Sequence, residues 1–242
     1  MKNILVVEQN KSKFAFRIPS KAIRYRANCK WGQFVKGDPG SLQLLEAKEQ
    51  GFTYGNFVEM SIASLSNKVL TFEPHYPQEP FLEIWGFPID GEMHSKSCKE
   101  NSSELVTFLL HRQSMDKIED VLADIERDAD NAWIDAGMPD NMEEFINQKK
   151  IELLASSIFR FEFVCEEGKY GPYYWVKCDR KEAESDLAKA ALQCSKQLFE
   201  LKQSGEQQVC SDPRIEENFK QSMMILNGTK QAQLEPVNSK KN

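Results

Sequence analysis

Hydrophobic and polar positions alternate with a period of two through the first third of the chain. In residues 13–18, Phe14, Phe16 and Ile18 interleave with Lys13, Ala15 and Arg17, the pattern of a half-buried strand. Residues 22–28 repeat it, with Ile23, Tyr25 and Ala27 on one face and Arg24 and Arg26 on the other. Pro19-Ser20 reads as a corner between the two runs, and Gly37-Asp38-Pro39-Gly40 as a turn. A short helix is expected over 42–50, stopped by Gly51. Strand-like runs follow at 56–62, 68–73 and 81–87. Residues 73–80, with Pro74, Pro77 and Pro80, are expected to form an extended loop, and the polar segment 90–101 another.

From residue 102 the period becomes helical. Leu105, Phe108 and Leu109 suggest a helix over 102–111. Asp116 with Glu119 fits a capping box ahead of Ile118, Val121, Leu122, Ile125 and Ala129. Gly137 and Pro139 end that helix, and Asp140 or Asn141 caps the next, which carries Phe145, Ile146, Ile151 and Leu154. A hairpin over 158–179 restores the period of two. Phe159, Phe161, Phe163 and Cys165 share a face, Glu166-Glu167-Gly168-Lys169 turns, and Tyr173, Trp175 and Lys177 are co-facial on the return. An amphipathic helix is expected over 180–202. Together these elements predict an α+β fold: a small bent sheet or OB-like β-barrel with an acidic helical insertion and a C-terminal helix. Residues 1–203 form one domain (β-rich 3–90, helical insertion 102–157, hairpin plus helix 158–203). A lone hairpin is marginally stable and needs a sheet to join. Residues 204–242 are expected to form a polar tail, with one short helix near 213–226 and a disordered end.

Composition narrows the classes. With 242 residues, 40% hydrophobic and 28% charged, the chain has the make-up of a soluble globular protein. It contains no uncharged apolar run near the roughly 18 residues of a membrane span. The N-terminal apolar run is shorter than the about 7–15 residues of a signal peptide core, so a cytoplasmic location is expected. The six cysteines lack any C-x-x-C pair and are expected as free thiols.

Charge is strongly segregated. Eight Lys/Arg and no Asp or Glu lie between Glu8 and Asp38: Lys11, Lys13, Arg17, Lys21, Arg24, Arg26, Lys30 and Lys36. The chain as a whole carries -6, so the remainder carries -14 (-6 minus +8). Trp31 lies among these cations. A second set, Lys169, Tyr170, Tyr173, Trp175, Lys177, Arg180 and Lys181, follows in the hairpin. Cations that track phosphates and rings that stack on bases are the means of holding single strands. Phe14, Phe16 and Tyr25 are expected in the core.

In these two segments the chain resembles OB-type single-stranded DNA-binding proteins. That resemblance implies a non-enzymatic binder of single-stranded DNA or RNA; with no nucleotide-binding motif and no clustered metal ligands in the sequence, no cofactor and no metal are expected. The interface expected is Lys13, Arg17, Arg24, Arg26, Lys30, Trp31, Lys36, Lys169, Tyr173, Trp175, Lys177 and Arg180. The end Asn238-Ser239-Lys240-Lys241-Asn242 differs from the acidic, apolar-tipped tail of such proteins, so no docking role is expected of it.

Two other readings have residues behind them. Residues 116–144 hold eleven acids against Lys117 and Arg127. They form a solvated face or the contact surface of a protein–protein adaptor within a larger assembly. Asp90, Glu92 and His94 would share one side of a strand and could serve a metal-dependent hydrolase. Pro139-Asp140 with Glu167-Gly168-Lys169 matches a P-D…E-x-K nuclease spacing only loosely, since Asp140 reads as a cap and Lys169 as a turn residue. No G-x-S-x-G, Walker or G-x-G-x-x-G motif is present, so no catalytic residue is assigned.

Overall fold

A computed structural model describes residues 14–19, 23–37, 42–70, 79–98 and 101–203. The elements run β1 (Ala15–Arg17), β2 (Ile23–Asn28), β3 (Gln33–Lys36), α1 (Leu44–Glu49), β4 (Phe57–Leu70), β5 (Glu79–Asp90) and α2 (Glu92–Ser97). They continue β6 (Ser102–Glu104), β7 (Val106–His111), α3 (Gln113–Asp135), α4 (Met142–Ala155), β8 (Ile158–Gly168), β9 (Gly171–Lys181) and α5 (Asp186–Gln203). The fold is α+β. A seven-stranded sheet runs β3-β2-β7-β5-β4-β8-β9, with β2 and β7 parallel and the other pairs antiparallel. A short parallel ladder, β1 with β6, lies beside it.

The sheet curls because β4 is long and bent. Its register shifts twice against β5, between Glu59 and Met60 and between Ile62 and Ser64, and such bulges add bend and twist. Gly86 lies at the closest approach: a Cβ there would meet the Ser61 carbonyl oxygen at 2.2 Å. Ahead of β4, Tyr54 N–H donates to Phe34 O (2.7 Å), and Phe34 and Lys36 N–H donate to Gly55 O (2.8 Å) and Phe52 O (3.0 Å). The β3 edge is thereby bonded to the segment leading into β4, and the sheet forms a half-barrel.

The inner face encloses the larger core. Tyr25, Phe34, Met60, Ile84, Phe108, Phe159 and Phe161 are fully buried there. Phe108 packs edge-on against Phe34 (5.3 Å) and Phe161 (5.2 Å). Burying each such side chain contributes about 1.5–3 kcal/mol. Helix α3 fills this face with Ile118 and Ile125, and α4 adds Leu153 and Leu154. The outer face is partly covered by α5, whose Ala188, Ala191, Cys194 and Ser195 are buried. These small residues let the helix backbone approach β4 closely enough for Ser61 Oγ to donate to Ala191 O (3.3 Å). Trp85, Phe87, Leu105 and Leu198 complete that second core.

Several elements differ from the sequence expectation. The segment expected as a helix over 102–111 is strand, β6 and β7. Val106–His111 is buried on both faces between β2 and β5, and a doubly buried strand shows no alternation that would separate it from a helix. The two runs at 56–62 and 68–73 join in one strand to Leu70. Pro80 and Pro88 both lie within β5. Pro80 is near the strand start and Pro88 sits by a register shift, the places where a sheet tolerates proline. Residues 92–97 of the expected loop are α2, α3 begins at Gln113 rather than at a cap on Asp116, and β9 runs to Lys181 before α5 starts at Asp186. Lys11, Lys13 and Lys21, Ser20 of the Pro19-Ser20 corner, Asp38-Pro39-Gly40 of the turn that follows, residues 73–78 of the expected 73–80 loop and the tail beyond 203 lie outside the described residues. Among the described residues no helix is long and apolar enough to cross a membrane.

Candidate nucleic-acid interface

The two basic-aromatic sets, about 140 residues apart in sequence, meet at Tyr174. The β2–β3 turn is shaped by Asn28, whose side-chain Oδ1 accepts from the N–H groups of Lys30 (3.1 Å) and Trp31 (3.2 Å). Gly32 follows at φ +62 and lies flat on the Tyr174 ring; a Cβ there would come within 2.5 Å of a ring carbon. The Tyr174 N–H donates to Cys29 O (3.3 Å). Phe34 anchors the same turn by packing on Phe163 of β8 at 5.1 Å. Docking of the β2–β3 hairpin on the β8–β9 hairpin thus follows from one buried ring and one glycine, and it brings Lys30 and Trp31 to the β9 edge.

At the tip of β8–β9, Lys169-Tyr170 makes a two-residue turn. Tyr170 is 93% exposed, with the Lys169 ammonium 5.3 Å from its ring centroid. Tyr173, 40% exposed, lies across from Glu166, and its hydroxyl donates to Glu166 Oε2 at 2.5 Å. That bond, with smaller help from the nearby Trp175 indole, Gln113 and Lys117, holds the Glu166 carboxyl below its ordinary value. The same bond raises the Tyr173 phenol. Trp175 is half-buried, and its Nε1 approaches that carboxylate without a well-formed hydrogen bond. Tyr173, Trp175 and Lys177 share a face, but opposite them stand Glu166, Val164 and Glu162. Tyr174 points to the other face, so the corner wraps the β9 edge rather than forming a flat platform.

The remaining expected residues are scattered. Arg17 on the β1–β6 ladder pairs with Glu104 (3.6 Å). Arg24 is half-buried on β2 opposite Thr107, and Arg26 is exposed on the same strand. Lys36 is exposed, its ammonium 5.9 Å from the Tyr25 ring centroid. Lys177 pairs with Asp179 (2.9 Å). Arg180 faces α3, donating to Asp128 (2.7 Å) and to Ser157 Oγ (2.8 Å). The structure therefore places Lys30 and Trp31 in the turn beside Tyr174, with Lys169, Tyr170 and Tyr173 towards the tip of the same β8–β9 hairpin, and leaves Arg17, Lys177 and Arg180 in ion pairs. Tyr174 and Gly32 carry the junction without having been singled out. The Asn28–Gly32 turn composition was the available signal for Gly32.

The rival constellations do not converge. Asp90 Oδ1 accepts from Gly91 N–H (2.7 Å), Glu92 pairs with Lys96, and His94 Nε2 meets Ser102 O (3.1 Å). Helical rather than extended backbone from residue 92 separates the three side chains. Asp140 lies in the α3–α4 turn and Lys169 at the β-hairpin tip. Among the described residues no three His, Cys, Asp or Glu side chains are placed to hold a metal ion. A cavity of about 290 Å³ opens where β9 meets α5, lined by Glu59, Asp90, Lys181, Glu182, Glu184 and Ser185. Within it burial would raise the Glu59 carboxyl, but hydrogen bonds from Lys181 (2.6 Å) and Arg160 (3.1 Å) outweigh burial and hold it low. No protein-family model matches this chain, and no curated protein or solved structure is similar to it.

Proposed function

We propose that this chain is a non-enzymatic, cytoplasmic binder of nucleic acid that prefers single-stranded DNA or RNA, with the curled sheet serving as an OB-like barrel. The observation that supports the reading is the contact of the β2–β3 turn, which carries Lys30 and Trp31, with Tyr174 of the hairpin that carries Lys169, Tyr170 and Tyr173. Bases stack on Tyr170, Tyr173 and Trp31, each contact contributing about 1–3 kcal/mol. Phosphates follow Lys30, Lys36 and Lys169. Such an interface is low in sequence specificity, because rings and ammonium groups read no base edge. It coats or presents a strand and needs no cofactor.

The test is fluorescence anisotropy with a labelled oligothymidine and its duplex counterpart at low salt. Single-strand binding tighter than duplex binding is expected. Tyr170→Ala or Trp31→Ala should weaken it by about fivefold or more, the loss of one stacked base. Absence of low-salt binding, or full binding by the Tyr170→Ala, Trp31→Ala pair, would overturn the reading.

A further inference from the structure

We propose that the turn between α3 and α4 is a docking surface for a cationic amphipathic helix of a partner protein, an interaction beyond the nucleic-acid reading. Six large hydrophobic residues are exposed among the described residues, and three of them lie in this one turn: Ile134 (50%), Met138 (56%) and Met142 (49%). The buried residues of α3 are Ser114, Ile118, Ile125 and Ala129, so its last turn extends past its last buried residue.

The turn is held in one conformation. Gly137 N–H donates to Ile134 O (3.0 Å), Met138 N–H donates to Trp133 O (3.0 Å), and the Trp133 indole donates to Pro139 O (3.0 Å). Met138 itself adopts φ +56, a conformation that side-chain-bearing residues adopt rarely. The chain thus presents a thioether on a rigid turn. Methionine is an adaptable apolar contact, and a fixed pair of them with Ile134 fits the i, i+3, i+4 anchors of a helix.

Charge decides the occupant. Between Asp128, which is tied to Arg180, and Lys149 the sequence holds Asp130, Asp135, Asp140, Glu143 and Glu144 and no Lys or Arg. That rim repels phosphates, and it repels a second copy of this same acidic surface. It complements Lys and Arg flanking an apolar stripe.

Binding of a labelled leucine–lysine peptide patterned as an amphipathic helix, with a leucine–glutamate peptide as its counterpart, tests the proposal on the full chain. The lysine peptide should bind at least about tenfold more tightly than the glutamate one, and an Ile134→Asp, Met138→Asp variant should lose that binding. The substitution adds negative charge, so a purely electrostatic contact would strengthen instead, and that outcome would overturn the proposal. Both sites are exposed, and circular dichroism with the milder Met138→Gln separates lost docking from lost fold. Equal affinity of parent and variant would also overturn it. So would a parent dimer that the variant dissociates in sedimentation, which would assign the surface to self-association. Oligothymidine binding should be unchanged in the variant, so failure here is distinguishable from failure of the nucleic-acid reading.

Discussion

Glu166 sets an electrostatic limit on the corner it helps to build. Its carboxylate fixes the Tyr173 ring by accepting from the hydroxyl, yet it places a negative charge where a phosphate would pass. The Tyr173 bond depresses its pKa below the usual 4.5, so the charge persists throughout the neutral range and begins to disappear only as pH falls below that value. Glu166→Gln keeps an acceptor for Tyr173 and removes the charge. The variant should bind oligothymidine a few-fold more tightly at pH 7, a gain that salt screens. Parent and variant should converge as pH drops through the lowered Glu166 pKa, because protonation then neutralises the parent. Anisotropy titrations at pH 7 and below pH 4.5 check both statements, and a constant difference at all pH values would remove Glu166 from the interface.

At the scale of elements, the free edge of β9 is closed by α3. The Val176 N–H, which would otherwise face out from the last strand, donates to the buried Ser114 Oγ in the first turn of α3 (2.9 Å). Ser114→Ala should destabilise the protein by about 1–3 kcal/mol, the cost of a buried donor left without a partner. The loss should appear in urea unfolding together with faster hydrogen exchange at Val176; exchange unchanged at that amide would mean water replaces the hydroxyl. Nothing in local sequence announces this contact, since a serine early in a helix has many uses. What is local was legible: alternation placed Tyr25 inward and Arg26 outward, and it placed Phe159, Phe161 and Phe163 on one buried face. Residues 106–111 carry a helical pattern because a central strand has two buried faces and loses the alternation that identifies a strand. The corner was legible only in its parts. Lys30, Trp31 and Tyr173 stand out by residue type, but the docking of the two hairpins that carry them depends on the curl of β4 and on Phe34 packing against Phe163, which are long-range.

At the scale of the whole molecule the charge is unfavourable for a polyanion, and this constrains the proposed binding. Net charge is -6, and the described cations of the basic N-terminal stretch are divided between the β1–β6 ladder and the β2–β3 hairpin. Arg17 is tied to Glu104, Arg24 is half-buried, and of the hairpin cations Lys177 and Arg180 are tied to Asp179 and Asp128. Lys30, Lys36 and Lys169 are the exposed cations of the expected set that stand without a carboxylate partner in the described residues. Each phosphate neutralised on a single strand contributes about -0.7 to the slope of log affinity against log salt. Three such contacts give a slope of about -2, so raising salt from about 50 to 200 mM should cost roughly 20-fold in affinity. The larger share of the affinity then comes from stacking, which salt leaves alone. Lys30→Ala should therefore flatten the slope by about 0.7, whereas Trp31→Ala should lower affinity equally at every salt concentration. A measured slope near about -6 would instead require about eight phosphate contacts, more than twice the number that Lys30, Lys36 and Lys169 supply. In that case the interface is far larger than the Tyr174 corner.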